Sequence, residues 1–172
     1  MNTLTSDIEI IKSKTTKIQD VDFENLSFGS TFSDHMLECN YKDGKWQTPK
    51  VVPYQAITLD PSAKIFHYGQ SVFEGMKAYK DAKNDIYLFR PLDNWKRLNI
   101  SSKRLAIPEV PESYFMEGLK TLLKVDSDWI PKKEGSSDRL FLQLAKVFMR
   151  LHQMSINLLS PVLLLVLILL EK

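Results

Sequence analysis

Cys39 is the one cysteine in 172 residues, so no disulfide can close within the chain and an apolar core has to hold the fold. That composition fits a reducing compartment. Cys39 follows Met36 and Leu37 in a strand-like run and reads as a small core hydrophobe, not a reactive thiol. An excess of one charge is also missing: 23 Lys and Arg stand against 21 Asp and Glu, a net of +2. With no arginine-rich stripe, nothing points to nucleic acid or an acidic lipid surface. Residues 1–20 hold no apolar h-region and mix Asp7, Glu9 and Asp20 with Lys12, Lys14 and Lys17. This excludes a secretory signal, argues against a transit peptide and leaves the cytoplasm as the expected location. The unbroken apolar run Pro161–Leu170 has ten residues, whereas a spanning helix needs about 20. A membrane partner is therefore not expected. His35 and His67 have no companions at metal-ligand spacing, so both read as structural and no metal is expected.

What is present is the composition of a soluble globular domain, 44% hydrophobic and 26% charged, long enough for one real core. Residues 1–25 are polar and lack firm periodicity, as expected of a mobile arm or a peripheral strand. Phe28–Tyr41 reads as extended, Asp43-Gly44 as a turn, and Val51 and Val52 as the centre of a short strand. Met76–Tyr79 and Ile86–Phe89 flank residues 81–85 as a β-hairpin. Pro91 suits the first turn of a helix and Asp93 suits its positive end. Leu92, Trp95, Leu98 (or Asn99), Ser102 and Leu105 give that helix a buried stripe, and Pro108 stops it. A second helix opens at Pro111-Glu112 and turns Phe115, Leu119, Leu122 and Leu123 to one side. This order of elements predicts an α+β fold, a small antiparallel sheet with packed helices.

Three blocks stand in succession. They are Phe28-Gly29-Ser30-Thr31-Phe32-Ser33-Asp34-His35-Met36, then His67 through Tyr79 (H-Y-G-Q-S-V-F-E-G-M-K-A-Y), then Leu88-Phe89-Arg90-Pro91 with Asn94 and Arg97-Leu98. Together they resemble the N-terminal (small) domain of branched-chain amino acid aminotransferases. These are pyridoxal-phosphate enzymes of fold type IV, the type shared with D-amino-acid aminotransferases and aminodeoxychorismate lyases. The resemblance runs from about residue 23 to Pro131. It implies amino-group transfer between Leu, Ile or Val and 2-oxoglutarate, with pyridoxal 5'-phosphate as cofactor. It also implies a homodimer for the intact enzyme. Arg97 matches the family's phosphate-binding arginine, whose planar fork suits a pair of phosphate oxygens. Phe28, Tyr68 and Phe73 match residues lining the substrate pocket, an apolar slot for side chains that offer shape but no hydrogen bonds. Glu74 is given a structural role, with Glu74-Gly75 serving a turn, and Lys77 reads as a surface charge. The lysine that carries the cofactor covalently has no match here, so no catalytic residue is assigned and the isolated chain is expected to be inactive. A D-amino-acid aminotransferase-like enzyme and a non-catalytic interaction fragment are the alternatives.

The family pattern fails after about Gly135, where members continue with a strand resembling R-P-F-V-F-A-T-G-E and a second one ending in A-P-x-G-x-Y. Both return in a neighbouring reading frame. When the third base of each codon joins the first two of the next, allowed codons from the Ser137/Asp138 junction through Arg150 spell R-P-F-V-F-A-T-G-E-G-I-H-A. Those from there to Lys172 spell S-P-S-N-E-Y-K-F-I-I-A-C-A-P-S-G-S-Y-F-T-G-K. The expectation is a polar arm at 1–25, an incomplete aminotransferase domain at 26–136 and a frameshifted tail at 137–172. In the tail, Leu140, Leu144, Phe148 and Leu151 keep helical spacing, so Asp138–Met154 is expected as a helix. Pro161–Leu170 is expected as an apolar segment that packs on the domain or aggregates. Loss of the two family strands is expected to leave sheet edges unpaired.

Overall fold

The computed structural model describes residues 8–23, 25 and 30–130, together with the backbone of 140–151 and 159–169. The strands are β1 (Glu9–Ile10), β2 (Thr31–Lys42), β3 (Lys45–Trp46), β4 (Lys50–Pro53), β5 (Ser71–Lys80), β6 (Ile86–Leu88), β7 (Leu140–Leu151) and β8 (Leu159–Leu169). The α-helices are α1 (Lys64–Tyr68), α2 (Pro91–Arg104) and α3 (Glu112–Val125). Among the described residues the strands form one sheet in the order β1-β4-β2-β8-β7-β5-β6, with β3 paired to β2. Neighbours run antiparallel except β1 and β4, which are parallel. The α+β reading holds.

Local chemistry explains the turns. Asp43 and Gly44 both have positive φ, 53° and 77°, and they close a two-residue hairpin in which Lys42 faces Lys45. Two positive-φ centres match the right-handed twist of the strands they join, and Asp-Gly tolerates them. The β5–β6 hairpin is organised by Asp81, whose Oδ1 accepts the backbone N–H of Lys83 (2.8 Å) and of Asp85 (2.9 Å). Pro91 begins α2, and Lys103 and Arg104 sit at its negative end.

The main core lies between the sheet and α2 and α3. Leu37, Cys39, Val51, Val72, Met76 and Ala78 meet Leu98, Phe115, Leu119, Leu122 and Leu123, closed by Ile107, Val110, Trp129 and Ile130. Each fully buried leucine contributes about 1.5–3 kcal/mol of transfer free energy. The α3 face is as expected. The α2 stripe is narrower than its spacing suggested: Leu98, Asn99 and Ser102 are buried, while Leu92 and Leu105 are exposed. The sheet and α3 cover only the middle of that face. Period-2 alternation turns Met36 and Val52 to the other side of the sheet, where they form a second, smaller cluster with Phe32.

The N-terminal segment is attached to this sheet. β1 pairs with β4, the Ser13 N–H reaches His35 Nε2 (2.8 Å), and the Lys17 N–H reaches Asp34 Oδ1 (3.1 Å).

The tail departs from expectation. Leu140–Leu151 is a strand and not a helix, and Leu159–Leu169 is a second strand. β8 pairs with β2 from Asn40 to Thr31, and β7 pairs with β5 along its length from Ser71 to Ala78. The edges expected to stand unpaired are therefore filled. The physical reason is that L-F-L-Q-L-A-K-V-F-M-R-L is apolar at nearly every position, so helical spacing inside it discriminates nothing. The N–H and C=O rows of β2 and β5 offer pairing partners that a helix would leave unused. Ala145 is skipped in both of its strand's pairings, a bulge that lets β7 keep register on two sides.

Candidate functional site

Strand β5 and helix α2 organise the residues that the sequence singled out. The buried positions of β5 alternate as Val72, Glu74, Met76 and Ala78. Three are apolar and belong to the core, so Glu74 is a carboxylate at a core position. Its cost is met by four donors. Oε1 accepts the Gly75 N–H (2.9 Å), the Asn94 amide (3.1 Å) and Arg97 Nη2, while Oε2 accepts Arg97 Nε (2.7 Å). Asn94 and Arg97 are three residues apart on α2 and so reach the strand from one helix face. The Asn94 amide also donates to the Gly75 carbonyl (3.1 Å), fastening helix to strand.

The two ends of the ion pair differ in environment. The Glu74 side chain is 2% exposed and that of Arg97 is 65% exposed. Burial pushes the Glu74 carboxyl upward, but the Arg97 and Asn94 side chains, the Gly75 N–H and the Arg97 charge bring it below the usual range. The hydrogen bond and charge of Glu74 raise Arg97 in turn. Glu74 takes the guanidinium side-on, at Nε and Nη2. The opposite edge, with both Nη1 hydrogens and the outer Nη2 hydrogen, has no hydrogen-bond partner among the described residues.

Tyr68 ends α1, directly before Gly69, which takes a left-handed conformation (φ 58°) and turns the chain into β5. Tyr68 is 80% exposed and Phe73 is 69% exposed. Phe73 points to the face of β5 opposite Glu74, as strand alternation requires. The structure thus brings Arg97 onto Glu74 but leaves Phe73 on the other face of the same strand. Phe66, Tyr68 and Phe73 are exposed aromatics around the start of that strand. Phe28 lies outside the described residues. Glu74-Gly75 serves no turn, contrary to expectation, because both residues lie inside β5. Lys77 is half-buried on the face that carries Phe73.

His35 is buried and fully engaged. Its Nδ1 donates to Asp126 Oδ1 (2.5 Å) and its Nε2 accepts the Ser13 N–H. Exposed His67 donates from Nε2 to the Pro61 carbonyl (2.8 Å). Among the described residues no group of three or more His, Cys, Asp or Glu could hold a metal ion, and no helix is long and apolar enough to cross a membrane. The feature that sequence reasoning undervalued is Glu74. Its signal was an acidic residue in an alternating apolar strand, followed by Asn94 and Arg97 at helical spacing.

No family model matches the chain. Curated relatives do. The "Branched-chain-amino-acid aminotransferase 2" of Bacillus subtilis is 48% identical over 123 residues, 71% of this chain and 34% of that protein. The "Branched-chain-amino-acid transaminase 1" of the same organism is 44% identical over 117 residues, 67% of this chain and 33% of that protein. The enzyme of Mycolicibacterium smegmatis is 47% identical over 120 residues, 69% of this chain and 32% of its own length. Among solved structures, the branched-chain aminotransferase of Escherichia coli superposes with a TM-score of 0.55 at 18% identity, covering 80% of this chain and 41% of that one. That of Thermobaculum terrenum gives 0.55 at 13% identity, covering 81% and 40%. At such identities the superpositions show the fold. The chain is therefore related to the branched-chain aminotransferases over about 70% of its own length, and it spans about a third of theirs.

Proposed function

We propose that this chain contributes cofactor- and substrate-binding residues to a pyridoxal-phosphate aminotransferase site for branched-chain amino acids. Arg97 receives the cofactor phosphate, and Tyr68 and Phe73, with Phe28, line the substrate slot. The observation that carries the reading is 48% identity over 123 residues to a branched-chain aminotransferase. The outward edge of Arg97 supports it, since three N–H groups on a planar cation fit a phosphate dianion. Exposed Tyr68 and Phe73 fit an apolar amino-acid side chain. When bound, the cofactor supplies the electron sink that lets an amino group move between an amino acid and a 2-oxo acid such as 2-oxoglutarate. The chain's own residues bind and orient: Arg97 holds the anion, the aromatics offer apolar surface to the substrate side chain, and the Tyr68 hydroxyl orients a polar group. The whole enzyme works as a homodimer in the cytoplasm, on Leu, Ile or Val.

The tail from about residue 137 is read as the product of a frameshift, because both family strands return in the neighbouring frame with their order and spacing kept. Sequencing the coding DNA across Gly135 tests this. Codons incompatible with the shifted reading would overturn it. The functional reading is tested by titrating pyridoxal 5'-phosphate into the full chain. Arg97-dependent binding is expected. Binding indifferent to Arg97→Ala would contradict the assignment.

A further inference from the structure

We propose that Glu74 is a positioning residue for a phosphate-bearing ligand: it occupies the inner edge of the Arg97 guanidinium and thereby aims the outer edge at the anion. The inference rests on the assignment of Arg97 above and adds a residue to that site. An arginine on an exposed helix face has four rotatable bonds and no fixed direction. Arg97 is different, because Nε and Nη2 are both spent on a carboxylate that cannot move. Glu74 sits on a core position of β5, and the Gly75 N–H and the Asn94 amide hold its Oε1. A fork gripped on one edge has its other edge fixed by planarity. Glu74 is buried and the Arg97 side chain is largely exposed, so the edge that Glu74 does not take is the one left to an outside ligand. Lysine could not do this, since a single ammonium has no second edge.

Glu74 also carries negative charge, and this makes the proposal sharply testable. If Glu74 acts on the anion only through its charge, Glu74→Gln removes a repulsion and phosphate binds more tightly. If Glu74 positions Arg97, the same change frees the guanidinium and phosphate binds less tightly. The two readings differ in sign.

The experiment uses the full chain with 15N-labelled arginine, and inorganic phosphate and pyridoxal 5'-phosphate as separate probes. The Arg97 Nε–H resonance is assigned by its absence in Arg97→Lys. In the wild type that proton is expected to be protected from exchange and to shift on titration with either probe. Glu74→Gln is expected to lose the protection and to weaken phosphate binding about ten-fold. Asn94→Ala, which keeps the charge pair and loosens its support, is expected to give a smaller loss in the same direction. Equal or tighter phosphate binding by folded Glu74→Gln, with binding still dependent on Arg97, overturns the positioning role alone. Should Glu74→Gln not fold, a fast-exchanging Arg97 Nε–H in the wild type, or unchanged binding in Asn94→Ala, overturns it instead. No shift of Arg97 with either probe in any protein removes the Arg97 assignment itself, and this proposal with it.

Discussion

His35 and Asp126 join by two hydrogen bonds across 91 residues of sequence: the ring Nδ1 donates to Oδ1 at 2.5 Å, and the His35 backbone N–H donates to Oδ2 at 3.0 Å. Strand β2 is thereby tied to the end of α3, where the Asp126 N–H also caps the helix on the Leu122 carbonyl (2.9 Å). Because the imidazole proton sits on Nδ1, Nε2 is left to accept the Ser13 N–H, and one side chain links three segments. Asp126→Ala strands two buried donors, and the expected cost is about 2–4 kcal/mol. Urea unfolding of the variant measures it. A loss under about 0.5 kcal/mol, the level of an ordinary surface change, would mean that the pair is dispensable.

Acid should weaken the fold through two carboxylates. Burial pushes Asp34 upward. Hydrogen bonds from the Thr16 side chain, the Lys17 N–H and the Trp129 indole, with the Lys17 charge, outweigh it and bring the group below its usual range. Glu74 is lowered as well. A folded value below the unfolded one gives stability that is present above the unfolded value, about 4, and lost as pH falls through the folded value. Stability is expected to be level from neutral pH to about 5 and to decline below about 4. Asp34→Asn should cost about 1–3 kcal/mol at pH 7 and progressively less in acid. A penalty that grows as the pH drops would contradict the assignment.

Gly118 is where α3 approaches β2. A Cβ built there runs into the Leu37 side chain, which is itself fully buried. Gly118→Ala gains about 1 kcal/mol of helix propensity but forces a packed leucine aside, at about 1–3 kcal/mol. A net loss of about 1 kcal/mol is expected in thermal or urea melts. A clear gain in stability would show that the sheet yields.

Cys39 should be inert while the protein is folded. Burial, and then the charge of Glu38, push its thiol up to about 12, and its Sγ donates to the Gln47 carbonyl (3.1 Å). Labelling with a thiol reagent at pH 8 is expected to follow global unfolding, with negligible reaction in native buffer. Rapid labelling without denaturant would place the thiol outside the core.

Much of this chain is legible locally. Pro91 and Pro111 announce α2 and α3, Asp43-Gly44 announces its hairpin, and Phe115, Leu119 and Leu122 name their own buried face, because each signal acts within a turn or two. The three sequence blocks likewise disclose the family, since residue identity alone carries that match. Tertiary structure decided the rest. Which part of the α2 stripe is covered depends on the sheet beneath it, so Asn99 is buried against Val110 while Leu92 and Leu105 lie open. Whether Leu140–Leu151 became helix or strand depended on the open row of β5 on one side and on β8 on the other. That Glu74 grips Arg97 while Phe73 faces the other way follows from strand alternation set against one particular helix. Pairing partners far apart in sequence make these choices, and no short window of residues contains them.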